Sequence, residues 1–588
     1  MPSGFRPDRH EGNGAPTSLA DIGSALSDLL ASESGQKASS ARRSYGVVLK
    51  VFLALAVVFF VRLVYVQVIE ASSYSAMAEE SRTVQFSVSP KRGTIYDRNG
   101  QILAVSVDCT TIYCNPSEVT DARHEASMIS TVLEEDASYY EGLLSREPST
   151  FVYLERQADL EKAQRLKEMK LDGIYFIADS RREYPNGGVG GQVIGVCDVD
   201  GNGITGLELQ YNEILAGTPG KYSAERGEKG APIPGGVHED TPAVDGEDIM
   251  ISLDIRMQTK MEEALEAGIL SYEGEDGSAV MIDGDTGEIY AICSYPYLDP
   301  TDRENSMIGS DNLKAITQAF EPGSIFKSLS ALTVLNERAV EPDDIIFCPA
   351  ELEADQYVIT DAHERPDADM TFATILNQSS NVGISLATQE AGFDKLNAMI
   401  QRLKITEKTG VDYPGEAQSV MPDFNEWAYV TGCNISFGQG LTATPLDMAR
   451  FYGMVAAEGL LCQPHFLMAK PRTGETMEYE SEQVLDDPEA FSKLKDMLQG
   501  VVLEGTGKDA EIDGYDVAGK TSTAEIAEDG GYAASRYNLC FAGFIDNSNS
   551  NLALFVSAND IHYEGKMASV FRDIMLEAID LYNIVPVK

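Results

Sequence analysis

The sequence predicts an α+β, multidomain protein carried on a single N-terminal transmembrane helix, and three observations carry that prediction. At 588 residues the chain is longer than one hydrophobic core supports, since single cores stop growing near roughly 250 to 300 residues, so at least two folded units are expected. One long apolar run lies near the N-terminus. Beyond it, helix-like stretches such as SLSALTVLNERA (328–339) and FATILNQ (372–378) are interspersed with extended ones such as NLCFAGFID (538–546), without a repeated βαβ pattern.

The apolar run, from Tyr45 to Val68, has about the 20 residues a bilayer core requires and is broken only by Lys50 and Arg62, whose long stems can snorkel to the headgroups. Arg42 and Arg43 precede it and no basic cluster follows, so residues 1–44 are expected in the cytoplasm and everything after residue 68 outside. A cleavable signal peptide is the rival, with Ala76-Met77-Ala78 as the small-x-small site. The apolar run is too long and the site too distant, so an uncleaved anchor is expected.

Acidic residues outnumber basic ones 93 to 45, for a formal charge of −48. Such a chain is repelled by phosphate backbones, which excludes nucleic acid as an expected partner. The 1–44 tail holds five basic and five acidic residues, so the acidic excess faces outward, where it serves solubility. Eight cysteines are scattered without a CxxC pair, no HExxH occurs, and the six histidines are dispersed, so neither a metal nor a cofactor is expected. Only Cys109 and Cys114 lie close together, and spacing leaves their redox state open.

Several motifs collide. Gly514 to Thr521 satisfies G-x-x-x-x-G-K-[ST], yet no apolar strand precedes it, Asp516 would face phosphate and extended segments follow, so a nucleotide site is not expected. Gly201-Asn-Gly203-Ile-Thr-Gly206 matches a dinucleotide fingerprint after QVIGVCDV, which reads as a strand, but no βαβ repeat surrounds it. Asp198 to Gly203 resembles the start of a calcium loop, except that Leu209 stands where the ligating Glu is needed and Glu208 comes one place early. With no GxSxG elbow either, serine chemistry whose base is not histidine remains.

Ser324-Ile-Phe-Lys327 follows the turn residues Glu321-Pro322-Gly323 and opens a helix former. A spacing of three stacks a hydroxyl and an amine on one helical face, and a lysine deprived of water loses its charge readily enough to act as a base. Ser34/Lys37 and Ser492/Lys495 match S-x-x-K too; the first lies in the tail and the second in a run of alternating charge, so both are expected to be solvated surface. Ser379-Ser380-Asn381 can send a hydroxyl and a carboxamide into one cleft, or merely cap a helix. The only strict Lys-Thr-Gly, at Lys408 to Gly410, ends a helical stretch and runs into the turn at Pro414-Gly415. Lys520-Thr521-Ser522-Thr523 instead lies in an extended segment, where a strand edge can present Lys520, Thr521 and Thr523 to a carboxylate.

In order and spacing, Ser324/Lys327, Ser379/Asn381 and Lys520/Thr521 resemble the three motifs of penicillin-recognising serine transferases, and SAVMIDGDTGEIYAICSYPYLDP, AFEPGSIFKSLSAL, TGVDYPGE, SFGQGLTATPLDMAR and VAGKTSTAEI extend the likeness to class B penicillin-binding proteins. SPKRGTIYDRNGQILAVS and GNGITGLELQYNEILAGTPG resemble the non-catalytic pedestal of that family, which explains the dinucleotide and calcium mimicry without a ligand. The resemblance covers residues 45–588 and implies a tail (1–44), an anchor (45–68), an elongated α+β pedestal or dimerisation-type domain (69–248) and a transpeptidase domain (249–588) built as an antiparallel sheet between helices, like a serine β-lactamase. It shows neither a glycosyltransferase domain nor C-terminal repeats, unlike the bifunctional class A enzymes.

By the same resemblance Ser324 attacks a D-Ala-D-Ala carbonyl, Lys327 is the base, Ser379 relays a proton and Asn381 holds the peptide. The Ser324 and Thr523 amides form the oxyanion hole, and Lys520, Thr521 and Thr523 hold the terminal carboxylate of the stem peptide or of a β-lactam. Ser522 stands where the family usually has Gly; its side chain either points away or narrows the cleft. The implied partners are a donor stem peptide and an amine acceptor, β-lactams, the cytoplasmic membrane, a polytopic glycan polymerase and division proteins. Asn381 and the overall pattern lean toward the septal or sporulation type. The alternatives are a D,D-carboxypeptidase or β-lactamase, which would send water to the acyl-enzyme and need no such pedestal, and a β-lactam or muropeptide sensor without turnover.

Overall fold

Ser39–Val64 forms helix α1, in a stretch without Pro and with its one Gly near the start. The computed structural model describes residues 39–71, 83–146, 149, 151–226, 232–528, 531–561 and 566–587. Ser34/Lys37 and Ala76-Met77-Ala78 lie outside them. Among the described residues one helix, Gly46–Ile69, is long and apolar enough to cross a membrane, with a mean hydropathy of 2.7 and none of its surface buried by protein. It fits a single-pass membrane anchor.

The chain divides into two compact units: Met1–Gln85 with Ser223–His238, which holds α1, and Phe86–Tyr222 with Glu239–Lys588. In the second unit the first strands are β1 (Ile95–Tyr96), β2 (Ile102–Cys114), β3 (Val152–Ala158) and β4 (Ile174–Glu183), with β2 pairing antiparallel to the other three. Helices α2 (Ala122–Leu133), α3 (Ala137–Leu144) and α4 (Leu160–Met169) cover one face, where Ile112, Cys114, Leu154 and Ile174 meet Ile129, Val132, Tyr140 and Leu166. Strand β5 (Ile249–Ile251) joins β1 in parallel, and Leu467–Lys470 joins β5, so this sheet draws strands from both sides of residue 248.

The Gly-rich stretch folds for close packing. QVIGVCDV is not a strand: Gly191–Ile194 is a single helical turn, and Gly195, at φ +81°, stops it where a Cβ would lie 1.9 Å from the Thr205 carbonyl oxygen. Glu208, a calcium-loop misfit, is fully buried between Arg92 and Arg182, its Oε1 accepting from Arg182 Nε at 2.7 Å. The Asp198 carboxylate accepts from the backbone amides of Asp200 and Asn202 at 2.9 and 2.8 Å. Among the described residues the cysteines are free thiols, all but Cys197 buried.

The remainder of this unit is built on α5 (Ile255–Ser271), β6 (Asp276–Asp283), β7 (Ile289–Tyr295), α6 (Lys327–Asn336), β8 (Tyr357–Thr360), α7 (Phe372–Asn377), α8 (Asn381–Ala391), α9 (Pro445–Ala456) and β9 (Leu467–Lys470). It is completed by α10 (Pro488–Leu503), β10 (Asp516–Glu528), β11 (Gly531–Asp546), β12 (Leu552–Ile561) and α11 (Met567–Tyr582). A five-stranded antiparallel sheet runs β7-β6-β12-β11-β10.

Side chains alternate across this sheet with period two. Met281, Val517, Phe541, Leu554 and Val556 pack with Met257, Met261, Leu265, Phe571 and Ile574 of α5 and α11. Val280, Ala518, Cys540, Ala542 and Phe555 pack on the opposite face, with Leu329 and Leu332 of α6, Phe451 of α9 and Leu498 of α10. Strand β10 is an edge of this sheet.

Candidate active site

Ser324 lies in a 3-10 turn, Gly323–Phe326, that runs directly into α6. Gly323 takes φ +57° and donates its N–H to the Gly438 carbonyl at 3.0 Å. Gly438 itself is at φ +83°, and a Cβ there would sit 2.2 Å from the Gly323 oxygen, so only glycine lets this loop back the turn. From α9, the Tyr452 hydroxyl donates to the Ile325 carbonyl at 3.0 Å and shares a bond with Ser328 Oγ at 2.8 Å. The turn is thus held from two sides, leaving Ser324 partly exposed and Lys327 fully buried.

The Lys327 amine joins the first and second motifs. It donates to the Ser379 carbonyl at 2.5 Å, to Ser379 Oγ at 3.1 Å and to Asn381 Oδ1 at 2.7 Å. Ser379 is held at φ +57°, a left-handed conformation that costs a non-glycine residue about 1 kcal/mol or more. Ser379 and Asn381 face the lysine, while Ser380 caps α8, its Oγ accepting from the Gly383 amide at 2.9 Å.

Burial is the largest cause that pushes Lys327 well below the ordinary lysine range; the Lys520 charge adds to it and the Asp361 carboxylate opposes it. Lys520 is fully buried as well, and burial lowers it to about 7. A lysine with little charge near neutrality can take a proton from a nearby hydroxyl, and a second one can regain its charge when a carboxylate arrives.

The third motif lies within β10. Lys520 and Ser522 follow the parity of Ala518 and so face the side on which α6 packs. Thr521 Oγ1 shares a 2.6 Å bond with Thr506 Oγ1, and Thr523 is exposed. Ser522 points inward: it is 4% exposed and its Oγ accepts the Ser324 amide at 3.0 Å.

The other sequence matches stay apart from this cluster. Thr409, in the strict Lys-Thr-Gly, donates its amide and hydroxyl to Glu416 Oε1, both at 2.6 Å, and the Gly410 carbonyl accepts from Gln463. Ser492 is exposed on α10, but Lys495 is not solvated surface. It is 8% exposed and pairs with Glu458 and Asp546 at 3.3 and 3.4 Å, because the inward face of α10 carries the aliphatic stem and acidic partners meet the amine. The P-loop match is strand throughout its Lys-Thr end, with no helix N-terminus to cradle phosphate.

Sequence reasoning missed Asp361, Arg365 and Thr506. Asp361, in the loop after β8, accepts from Ser380 Oγ at 2.8 Å, from the Val382 amide at 3.0 Å and from Arg365 Nε at 2.6 Å. The Asn381 amide group donates to the Thr360 carbonyl at 3.0 Å. No spacing rule ties residue 361 to residues 380–382; only the hairpin Glu351–Ala354/Tyr357–Thr360 brings them together.

Comparison with known proteins agrees with this arrangement. The penicillin-binding protein transpeptidase domain matches residues 277–576, and the penicillin-binding protein dimerisation domain matches residues 87–251. The chain is 31% identical over 522 residues to the peptidoglycan D,D-transpeptidase FtsI of Escherichia coli, covering 85% of each chain. It is 28% identical over 543 residues to stage V sporulation protein D of Bacillus subtilis, covering 90% of this chain and 84% of that one. Penicillin-binding protein 2X of Streptococcus thermophilus has the same fold, with a TM-score of 0.73 at 21% identity, over 85% of this chain and 80% of that one. The chain therefore belongs to the class B penicillin-binding proteins, the serine transpeptidases of peptidoglycan, in the septal and sporulation branch.

Proposed function

We propose that the chain cross-links peptidoglycan through an acyl-enzyme on Ser324. Ser324 Oγ attacks the carbonyl carbon of the penultimate D-Ala of a donor stem peptide while its proton passes to the neutral Lys327 amine. The C–N bond to the terminal D-Ala breaks as the Lys327 proton passes through the Ser379 hydroxyl to the departing amine. An amine of a neighbouring stem then attacks the ester, loses a proton to Lys327, and the C–O bond breaks as Ser324 Oγ takes that proton back. Asn381 holds the peptide, the amides of Ser324 and Thr523 receive the oxyanion, and Lys520, Thr521 and Thr523 hold the terminal carboxylate. The observation that carries this reading is the fully buried Lys327 amine, bonded to Ser379 and Asn381 and held well below its ordinary pKa one helical turn from Ser324.

A β-lactam fits the same site as a stem-peptide mimic. The anchor would be residues 45–68 with residues 1–44 in the cytoplasm, followed by a pedestal over 69–248 and a catalytic domain over 249–588 outside, where the substrate is. A polytopic glycan polymerase and division proteins are the partners this reading implies, and septal or spore wall is the place of action. The test is labelling with a fluorescent penicillin in wild type, Ser324→Ala, Ser34→Ala and Ser492→Ala, together with joining of a labelled donor peptide to an amine. Only Ser324→Ala should lose both activities; loss in either other variant overturns the assignment, and labelling without joining points to a binder without turnover.

A further inference from the structure

The free site already holds an oxygen at the nucleophile's own amide. The first N–H groups of a helical turn have no partner within it, and the Ser324 amide takes one from across the cleft, the Ser522 hydroxyl at 3.0 Å. A carbonyl under attack by Ser324 Oγ must bring its oxygen to the same amide, because the developing charge needs a donor about 2.7 to 3.1 Å away. One N–H supports one strong bond, so the two oxygens exclude each other.

We propose that Ser522 is a built-in competitor for the oxyanion site: its hydroxyl occupies the Ser324 amide in the free enzyme and must turn away about χ1 before a donor peptide or a β-lactam can acylate Ser324. The fold keeps it there. Ser522 sits opposite Cys540 in the β10–β11 ladder, shares the inward parity of Lys520, and is 4% exposed. Its backbone is outside the left-handed region, so nothing in the strand demands glycine and a side chain is carried without strain. A staggered alternative for the hydroxyl exists in any serine, so the competition is reversible. Ser522 is thereby a rate- and specificity-determining residue, which favours carbonyls able to displace a hydroxyl. This inference rests on Ser324 being the nucleophile.

The test measures the second-order acylation rate of the full-length chain with a fluorescent penicillin and with a thioester donor, in wild type, Ser522→Ala, Ser522→Gly and Ser324→Ala. Ser522→Ala keeps Cβ and removes only the oxygen. Both 522 variants should therefore accelerate by a similar factor, roughly three- to tenfold, the worth of one neutral hydrogen bond. If Ser522→Gly accelerates while Ser522→Ala matches wild type, bulk and not the hydroxyl is at work and the proposal fails. A slower Ser522→Ala also overturns it, since the hydroxyl would then assist. In a crystal structure of the penicilloyl adduct Ser522 Oγ should be out of hydrogen-bond reach of the Ser324 amide; an intact bond there sinks the idea without reference to rates. Loss of labelling in Ser324→Ala with no gain in Ser522→Ala defeats only this proposal, whereas labelling that survives Ser324→Ala defeats the nucleophile itself.

Discussion

Replacing Asp361 by Asn removes one negative charge from beneath the second motif while keeping its shape. The Asp361 side chain is 10% exposed and that of its partner Arg365 17%, so solvent screens the pair only in part. Bonds to a carboxylate are worth about 1.5 to 3 kcal/mol and neutral ones about 0.5 to 1.5, so each bond demoted costs about 1 kcal/mol. Two such bonds run to the turn, from Ser380 Oγ and the Val382 amide, and Arg365, which stays charged, loses its partly screened ion pair besides. Asp361→Asn should lose about 2 to 3 kcal/mol of stability, and loosening of Ser379 and Asn381 should slow acylation roughly tenfold, the equivalent of 1.4 kcal/mol. The pH profile separates this from simple damage. The Asp361 charge raises Lys327, so its removal lowers Lys327 further; the active, neutral amine then persists to lower pH and the acid limb of the acylation rate moves down. Penicillin acylation measured across pH in both proteins checks this. A slower variant whose acid limb stays put or moves up refutes the electrostatic half of the argument, and an unchanged rate refutes the positioning half.

Lys520, lowered to about 7 by burial, should regain its charge when a carboxylate binds, so at pH 8 a penicillin should take up close to one proton on binding to Ser324→Ala; calorimetry in buffers of different ionisation enthalpy reads this directly, and zero uptake contradicts it. Because its folded form binds fewer protons than its unfolded form between about 7 and the ordinary lysine value, Lys520 makes stability rise with pH over that window, and Lys520→Met unfolding curves should show a smaller rise there, with the part due to Lys327 left. Lys520→Ala should lower penicillin acylation more than roughly hundredfold, while Lys408→Ala should stay within about twofold, since losing the buried amine that holds the carboxylate costs catalysis and losing an exposed one does not. Glu208→Gln leaves Arg92 and Arg182, 5% and 7% exposed, without their buried counter-charge; guanidinium unfolding should show a loss of about 3 to 5 kcal/mol, and a loss under about 1 would mean that the arginines find water.

The three motifs were legible because each is a local device. Ser324 and Lys327 need one turn of helix to share a face, and Ser379 and Asn381 need one tight turn. Lys520 and Ser522 need two steps of strand. Flanking turn and strand chemistry also separated Lys520 from Lys408. Sequence reasoning went astray where burial depends on a distant surface. Lys495 stands in a run of alternating charge, yet α10 packs it inward against Glu458 and Asp546, and Gly191–Ile194 forms a helical turn where its residues suggested a strand.

Charge, the apolar run and the order of three short motifs thus point to a serine transferase with a helix that fits a membrane anchor, because each is a property of neighbours along the chain. The Asp361 support beneath Ser380, the burial of Lys327 with the charge of Lys520 added to it, and the inward turn of Ser522 onto the Ser324 amide join residues far apart in sequence. The Glu351–Ala354/Tyr357–Thr360 hairpin brings Asp361 to Ser380, and the packing of β10 against the 3-10 turn brings Ser522 within bonding distance of the Ser324 amide. The same strand pattern would have let the Ser522 hydroxyl face away, and one residue of parity decides it.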